Sequence, residues 1–223
     1  MKRSALAFRA MALATSPFRL AAWIAVLSIL SWTLPWNFPA LPWGAALCIL
    51  ILLKDLAESL AREPFKPGTL RSRDAAWIWL SVQVPIPVAA VERAWFNPDP
   101  AWAKTGLVVG ACMALLGIIL RAWAIKTLGR FFTLTVQVHQ EHRLVQNGPY
   151  KLIRHPSYTG SLLYLLGASL AAASLAGILA TLALSLPSVA HRMAREELAL
   201  RRKLGEAYRD YSARTKKLVP YLF

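Results

Sequence analysis

Gly106-Leu-Val-Val-Gly-Ala-Cys-Met-Ala-Leu-Leu-Gly-Ile-Ile-Leu120 holds neither a charge nor a proline. It is the heart of an apolar segment over residues 102–125, and a stretch of ~20 such residues is what a helix needs to cross a bilayer. Working outward from it, five further apolar segments appear, over 20–34, 40–53 (its helix continuing to Leu60), 75–91, 157–172 and 175–190. Several are shorter than ~20 residues. The fold class they predict is all-α: a polytopic membrane protein of about six transmembrane helices.

The composition agrees. The 223 residues are 57% hydrophobic and only 17% charged, with mean hydropathy +0.43. A soluble domain of this length carries about a quarter charged residues. No room remains for a second compact soluble domain. A net charge of +15 could serve nucleic acid, but the basic residues are distributed as cytoplasmic loops require. Of the 26 Lys and Arg, only Arg93 and Lys104 fall outside the N-terminal lead, the second-to-third loop, the stretch after the fourth segment and the C-terminal tail. Six spans with both termini cytoplasmic give that split simply. The nine tryptophans, Trp32, Trp36, Trp77, Trp95 and Trp102 among them, read as interface anchors and not as a base-stacking surface. No nucleic-acid partner is expected. Cys48 and Cys112 lie in apolar runs and read as small hydrophobes. Lys2, Arg3 and Arg9 precede a short apolar run that reads as an uncleaved amphipathic lead-in.

Proline marks the irregular points. Pro85 and Pro87 should kink or break the third segment, and Pro187 should remove a hydrogen bond near the polar end of the sixth. Between the fourth and fifth segments, residues 129–155 look soluble and form a small cytoplasmic cap. Phe132-Thr-Leu-Thr-Val-Gln-Val138 and Arg143-Leu-Val145 could pair as a short hairpin. His139 and His142 lack the further ligands that a metal site needs, so no metal is expected. The chain thus divides at residue 128 into an N-terminal transmembrane region, 1–128, and a C-terminal core, 129–223.

Two clusters in that core carry chemistry. The first is Gly148-Pro-Tyr-Lys-Leu-Ile-Arg-His-Pro-Ser-Tyr-Thr-Gly160. Pro156 suits the first helical position, and His155 would then cap the helix. Free backbone N–H groups there favour an anionic group, and Arg154 adds positive charge. The second is Arg192-Met-Ala-Arg-Glu-Glu197, with Arg192 and Glu196 four apart on one helical face. Read alone, it also fits a solvated helix with an ordinary ion pair. At the end of an apolar segment, however, ionisable residues are a functional hypothesis by default. Residues 196–211 continue as a partly amphipathic tail helix lying on the membrane or under the cap. Lys54 and Asp55 could be a buried pair in the second segment, but read rather as a cytoplasmic helix end.

These runs resemble the signature of the isoprenylcysteine carboxyl methyltransferase family. The resemblance rests on Gly148-Pro-Tyr, Arg154-His-Pro-Ser-Tyr158 with Gly160, and Arg192 with Glu196, Glu197 and Leu200. Gly205, Tyr208, Tyr211 and Pro220 complete it, so that it covers about residues 129–223. It implies a membrane-embedded methyltransferase that takes S-adenosyl-L-methionine from the cytosol and a lipophilic, prenylcysteine-type acceptor from the bilayer. By motif, Val145, Gly148, Tyr150, His155, Tyr158 and Glu197 would bind the cofactor, and Arg154 and Arg192 would face the reacting carboxylate. A carboxylate is ionised at pH 7 and needs no base. An amine acceptor would need one, which Glu196, Glu197 or His155 could supply. Phospholipid N-methylation and thiol S-methylation are therefore rival acceptor chemistries. A membrane reductase using NADPH is a rival of another class, since such enzymes have a similar Arg-His-Pro run. No Gly-x-Gly-x-x-Gly loop is present, so a soluble dinucleotide fold is not expected.

Overall fold

The computed structural model describes residues 42–61, 77, 80–96, 101–132 and 144–220. The first apolar segment, residues 133–143 of the expected hairpin, and His139 and His142 lie outside them. Within the described residues the chain is helical and contains no strand; α1 is Pro42–Ala61, α2 Pro85–Trp95, α3 Ala103–Leu128, α4 Pro156–Ala171, α5 Leu175–Ala180, α6 Leu186–Leu204 and α7 Glu206–Arg214. Short 3₁₀ turns occupy Gly129–Phe131 and Gly148–Lys151.

The central pair is α3 against α4, and its closeness comes from missing side chains. A Cβ on Gly117 would lie 2.6 Å from the Gly160 carbonyl oxygen, and one on Gly160 would lie 2.6 Å from the Gly117 oxygen. In a bilayer no hydrophobic force drives helices together, so backbones this close gain dispersion contacts instead. Around the pair, Trp43, Leu47 and Leu50 of α1 and Ile86 and Ala89 of α2 join Ala114, Ile118, Tyr164, Leu165 and Ala168 in one core. The other faces are apolar and open: Leu52, Leu60, Val108, Leu116, Ile119, Leu175 and Leu179 are all exposed. Such a girdle belongs in lipid and not in water. Two helical stretches, Ala103–Leu128 and Leu175–Leu204, are long and apolar enough to cross a membrane.

The prolines act as their chemistry dictates. The third segment breaks at Val84 and restarts with α2 at Pro85, although Val84 N and Val88 N still donate along the helix axis. Pro187 is accommodated differently. Residues Thr181–Ser185 widen into a π turn just ahead of it, where the ring displaces the normal hydrogen bond. Beyond it α6 runs unbroken to Leu204, carrying Arg192 and Glu197 out of the apolar stretch on one rigid rod.

Gly205, at φ 54°, ends that rod. The tail expected as one helix through Tyr211 is therefore two, because a left-handed residue at the C-cap stops α6 and turns α7 back. Tyr208 and Tyr211 face inward from α7. After α7, residues 216–217 run beside 152–155: Arg154 N donates to the Lys216 oxygen at 2.8 Å and His155 N to the Lys217 oxygen at 3.0 Å. This brief parallel pairing anchors the tail against the start of α4.

Candidate functional site

Pro156 begins α4, and His155 sits at the N-cap position with φ −125°. Its side chain does not cap the helix, contrary to the sequence expectation. The His155 carbonyl accepts from Tyr158 N and Thr159 N, while the ring turns toward α6. There His155 Nε2 lies 3.3 Å from Glu197 Oε1, and Nδ1 lies 3.8 Å from Glu196 Oε2. Two sequence clusters some forty residues apart thus meet within hydrogen-bond reach.

The carboxylates are held from both sides. Arg154 Nε donates to Glu197 Oε1 at 2.9 Å, and Arg154 Nη1 donates to the carbonyls of Ser212 and Thr215. Arg154 thereby ties α6 to the end of α7. Glu196 Oε1 accepts from Arg192 Nε at 2.9 Å and from the Tyr158 hydroxyl at 2.7 Å. The rings of His155 and Tyr158 lie 5.8 Å apart and tilted by 33°. His155, Arg192 and Glu197 are buried, whereas the Glu196 side chain keeps 23% of its surface open. Glu196 is accordingly the carboxylate of the cluster nearest to solvent or a ligand.

The remaining expected residues take other places. Tyr150 is buried in the Gly148–Lys151 turn, its hydroxyl 3.4 Å from the Ala124 oxygen and its carbonyl accepting from the Tyr211 hydroxyl at 2.8 Å. Burial, reinforced by the nearby Tyr211 and Glu196, pushes the Tyr150 phenol well above its usual range. Burial also raises Tyr211, to about 12, against the opposing pull of Arg154. Gly148 stands at φ 57°, and a Cβ there would meet Thr127 Oγ1 at 3.0 Å and the Trp123 indole nitrogen at 3.2 Å. It leaves a cradle at the end of α3 that a side chain would fill. Val145 is half-buried in the extended stretch leading to this turn. Val145 and Gly148 thus lie on the α3 side, while His155, Tyr158 and Glu197 lie on the α6 side.

A second charged group stands behind the first turn of α4. Arg121 Nε donates to Glu58 Oε1 at 2.7 Å; Arg121 Nη1 donates to Ser157 Oγ at 2.9 Å, the Ser157 carbonyl at 3.2 Å and Ser161 Oγ at 2.7 Å. Lys54 Nζ lies 3.6 Å from Glu58 Oε1, 3.2 Å from Asp55 Oδ1 and 5.8 Å from the centre of the Tyr164 ring. Lys54 and Asp55 therefore belong to an interior polar network and not to a plain solvated helix end. The sequence reading missed Glu58 and the role of Arg121. The available signal for Arg121 was an ionisable residue at the end of the uncharged run 106–120; Glu58 carried the weaker one of standing four residues after Lys54.

The chain is similar to known proteins. Residues 109–202 match the model of the isoprenylcysteine carboxyl methyltransferase family. A probable protein-S-isoprenylcysteine O-methyltransferase from Oryza sativa subsp. indica is 33% identical over 119 residues, covering 51% of this chain and 61% of that protein. Protein-S-isoprenylcysteine O-methyltransferase B of Arabidopsis thaliana is 35% identical over 115 residues, covering 51% and 58%. The match therefore spans about three-fifths of the length of these relatives. Among solved structures, a eukaryotic intramembrane Ras methyltransferase, an isoprenylcysteine carboxyl methyltransferase, superposes with TM-score 0.57 at 25% identity, over 81% of this chain and 65% of that one.

Proposed function

We propose, from the match of residues 109–202 to the family model, that this chain belongs to the isoprenylcysteine carboxyl methyltransferase family and methylates the carboxylate of a lipophilic, prenylcysteine-type acceptor with S-adenosyl-L-methionine. The observation that carries the proposal is the 3.3 Å approach of His155 to Glu197, which joins both signature runs in one cluster at the end of an apolar bundle.

The residues fit that cofactor by the chemistry of their donors and acceptors. Glu196 and Glu197 offer carboxylates to ribose hydroxyls or to an ammonium group. Tyr150 and Tyr158 offer aromatic faces, and Gly148 lets the backbone of its turn lie close against Thr127 and Trp123. With Val145 and His155 these are the residues that would hold it. S-adenosyl-L-methionine supplies an electrophilic methyl group on a sulfonium. The chain's own part is alignment and exclusion of water. Positioning of reactants can supply ~7–11 kcal/mol. Arg192 is the guanidinium assigned to the acceptor carboxylate, since arginine pairs with carboxylates bidentately and stays charged. Arg154 is reassigned from the acceptor to a positioning role, because its Nε and Nη1 already serve Glu197, Ser212 and Thr215. Glu196, the more open carboxylate, would be the base if the acceptor were an amine.

The finer organisation belongs to the same proposal. Six spans, both termini in the cytoplasm and the site on the cytoplasmic side follow from the distribution of Lys and Arg. Residues 129–223, joined by the last turns of α3, are the proposed working core. The acceptor enters sideways from lipid. Calorimetry in detergent should show binding of S-adenosyl-L-methionine and its demethylated product, and lack of binding by either would end the proposal. Mass spectrometry of the product from a labelled lipid extract should find a base-labile methyl ester; a base-stable methylamine would move the chemistry to an N-methyltransferase, and binding of NADPH alone to a reductase.

A further inference from the structure

Arg121 is expensive where it stands. It follows an uncharged run of α3 and is held by Glu58, a residue of α1 that lies outside the matched family segment. A charge taken out of water must be repaid by close and complete hydrogen bonding. Adhesion of helices does not call for it. The Gly117–Gly160 approach already draws α3 and α4 together one turn away, and apolar residues surround it on α3.

What Arg121 touches is more specific than a helix surface. Its Nη1 donates to three oxygens, all on Ser157 and Ser161. Ser157 is the second residue of α4, two after His155 and one before Tyr158. The guanidinium thus grips the first turn of α4 from one side, while that turn presents Tyr158 to Glu196 and His155 to Glu197 on the other. The absent Cβ of Gly160 is part of the arrangement, since it would stand 2.7 Å from Arg121 N and 2.8 Å from Arg121 Cβ. Lys54 Nζ lies 3.6 Å from the same Glu58 oxygen, so a second cation stands beside that carboxylate.

We propose that Glu58, acting through Arg121, is a positioning residue of the methyl-transfer site: it fixes the fork of Arg121 on Ser157 and Ser161, and so sets the register of His155 and Tyr158 against Glu196 and Glu197. The inference rests on the methyltransferase reading, and it makes the N-terminal helix α1 a working part of the site. Loss of a hydrogen bond to a charged group can weaken binding by roughly 10- to 100-fold, so a slack first turn should be visible in affinity.

The test uses the full chain in detergent, with S-adenosylhomocysteine as calorimetric probe and thermal unfolding as a separate readout. Glu58→Gln removes the balancing charge with little change of shape. Arg121→Lys keeps a charge beside Glu58 but cannot reach Glu58, Ser157 and Ser161 together. Both should raise the Kd by roughly 10- to 100-fold. Leu47→Ala, which hollows the α1 core elsewhere, should lower the unfolding temperature and leave the Kd of the folded fraction unchanged. If Glu58→Gln and Arg121→Lys bind as the parent does, or if Leu47→Ala weakens binding as much as they do, the pair is ordinary helix packing and the inference is wrong. A parent chain that binds no S-adenosylhomocysteine would overturn the methyltransferase reading itself, and this inference with it.

Discussion

The first turn of α4 lies between two arginine–glutamate groups of different design. On one side, Arg192 meets Glu196 and Arg154 meets Glu197, with His155 and Tyr158 sharing the same carboxylates. On the other, Arg121 meets Glu58 and spends its Nη1 on serine oxygens. The first group is surrounded by aromatic and titratable side chains and leaves Glu196 partly open. The second is packed beside a Gly–Gly contact and a tyrosine ring. One buried ion pair can present chemistry while another holds the backbone that presents it. Charge and burial alone do not separate the two roles; what each guanidinium touches does.

The contrast breaks most sharply at Arg192. Arg192→Ala should lower turnover by roughly 100- to 1,000-fold, the scale expected when a preorganised charged donor is removed. Cofactor affinity should stay near that of the parent, measured by calorimetry on the same sample. If affinity collapses along with turnover, Arg192 serves the cofactor and the division between acceptor and cofactor residues is lost.

Glu197→Gln tests the other half of the same cluster. Arg154 would lose its charged partner yet keep the carbonyls of Ser212 and Thr215. Removing one partner of a buried charge-assisted bond costs about 1.5–3 kcal/mol, or roughly 10- to 100-fold in cofactor affinity. An unchanged Kd for S-adenosylhomocysteine would move Glu197 from the cofactor to a purely structural role.

The smallest effect is expected at the clasp between tail and cap. Tyr211→Phe deletes the 2.8 Å bond to the Tyr150 carbonyl and should cost about 1 kcal/mol in unfolding free energy. The parent carries a pH signature as well. Burial holds the Tyr211 phenol at about 12, above the ordinary value near 10. Between those values the unfolded chain gives up its proton first, so native stability falls as pH rises from about 10 to about 12. Denaturant melts across that range should show the Phe variant losing less stability than the parent. Equal slopes would mean that Tyr211 is not the group responsible.

How much was legible in the sequence differs between the two groups for a physical reason. His155, Tyr158, Arg192, Glu196 and Glu197 lie within two short runs, each a few residues long, where helical spacing already sets which side chains share a face. Glu58 and Arg121 are 63 residues apart on different helices. No local period connects them, and their meeting depends on how α1 and α3 dock. The side-chain direction of His155 was misread for a related reason: position names a residue as N-cap, but a strong acceptor from another helix decides where its ring points.

The sequence by itself determined that the chain is helical and suited to a bilayer, because burial in lipid demands long apolar runs with internally satisfied backbones. It also determined that Pro85 and Pro187 interrupt their helices, since proline acts on its own backbone, but not the stop at Gly205. Only the tertiary structure decided that Arg154 serves Glu197 and Arg121 serves Glu58. That choice is made by close packing of small residues between helices, which brings distant charges to within 3 Å and excludes the water that would otherwise separate them.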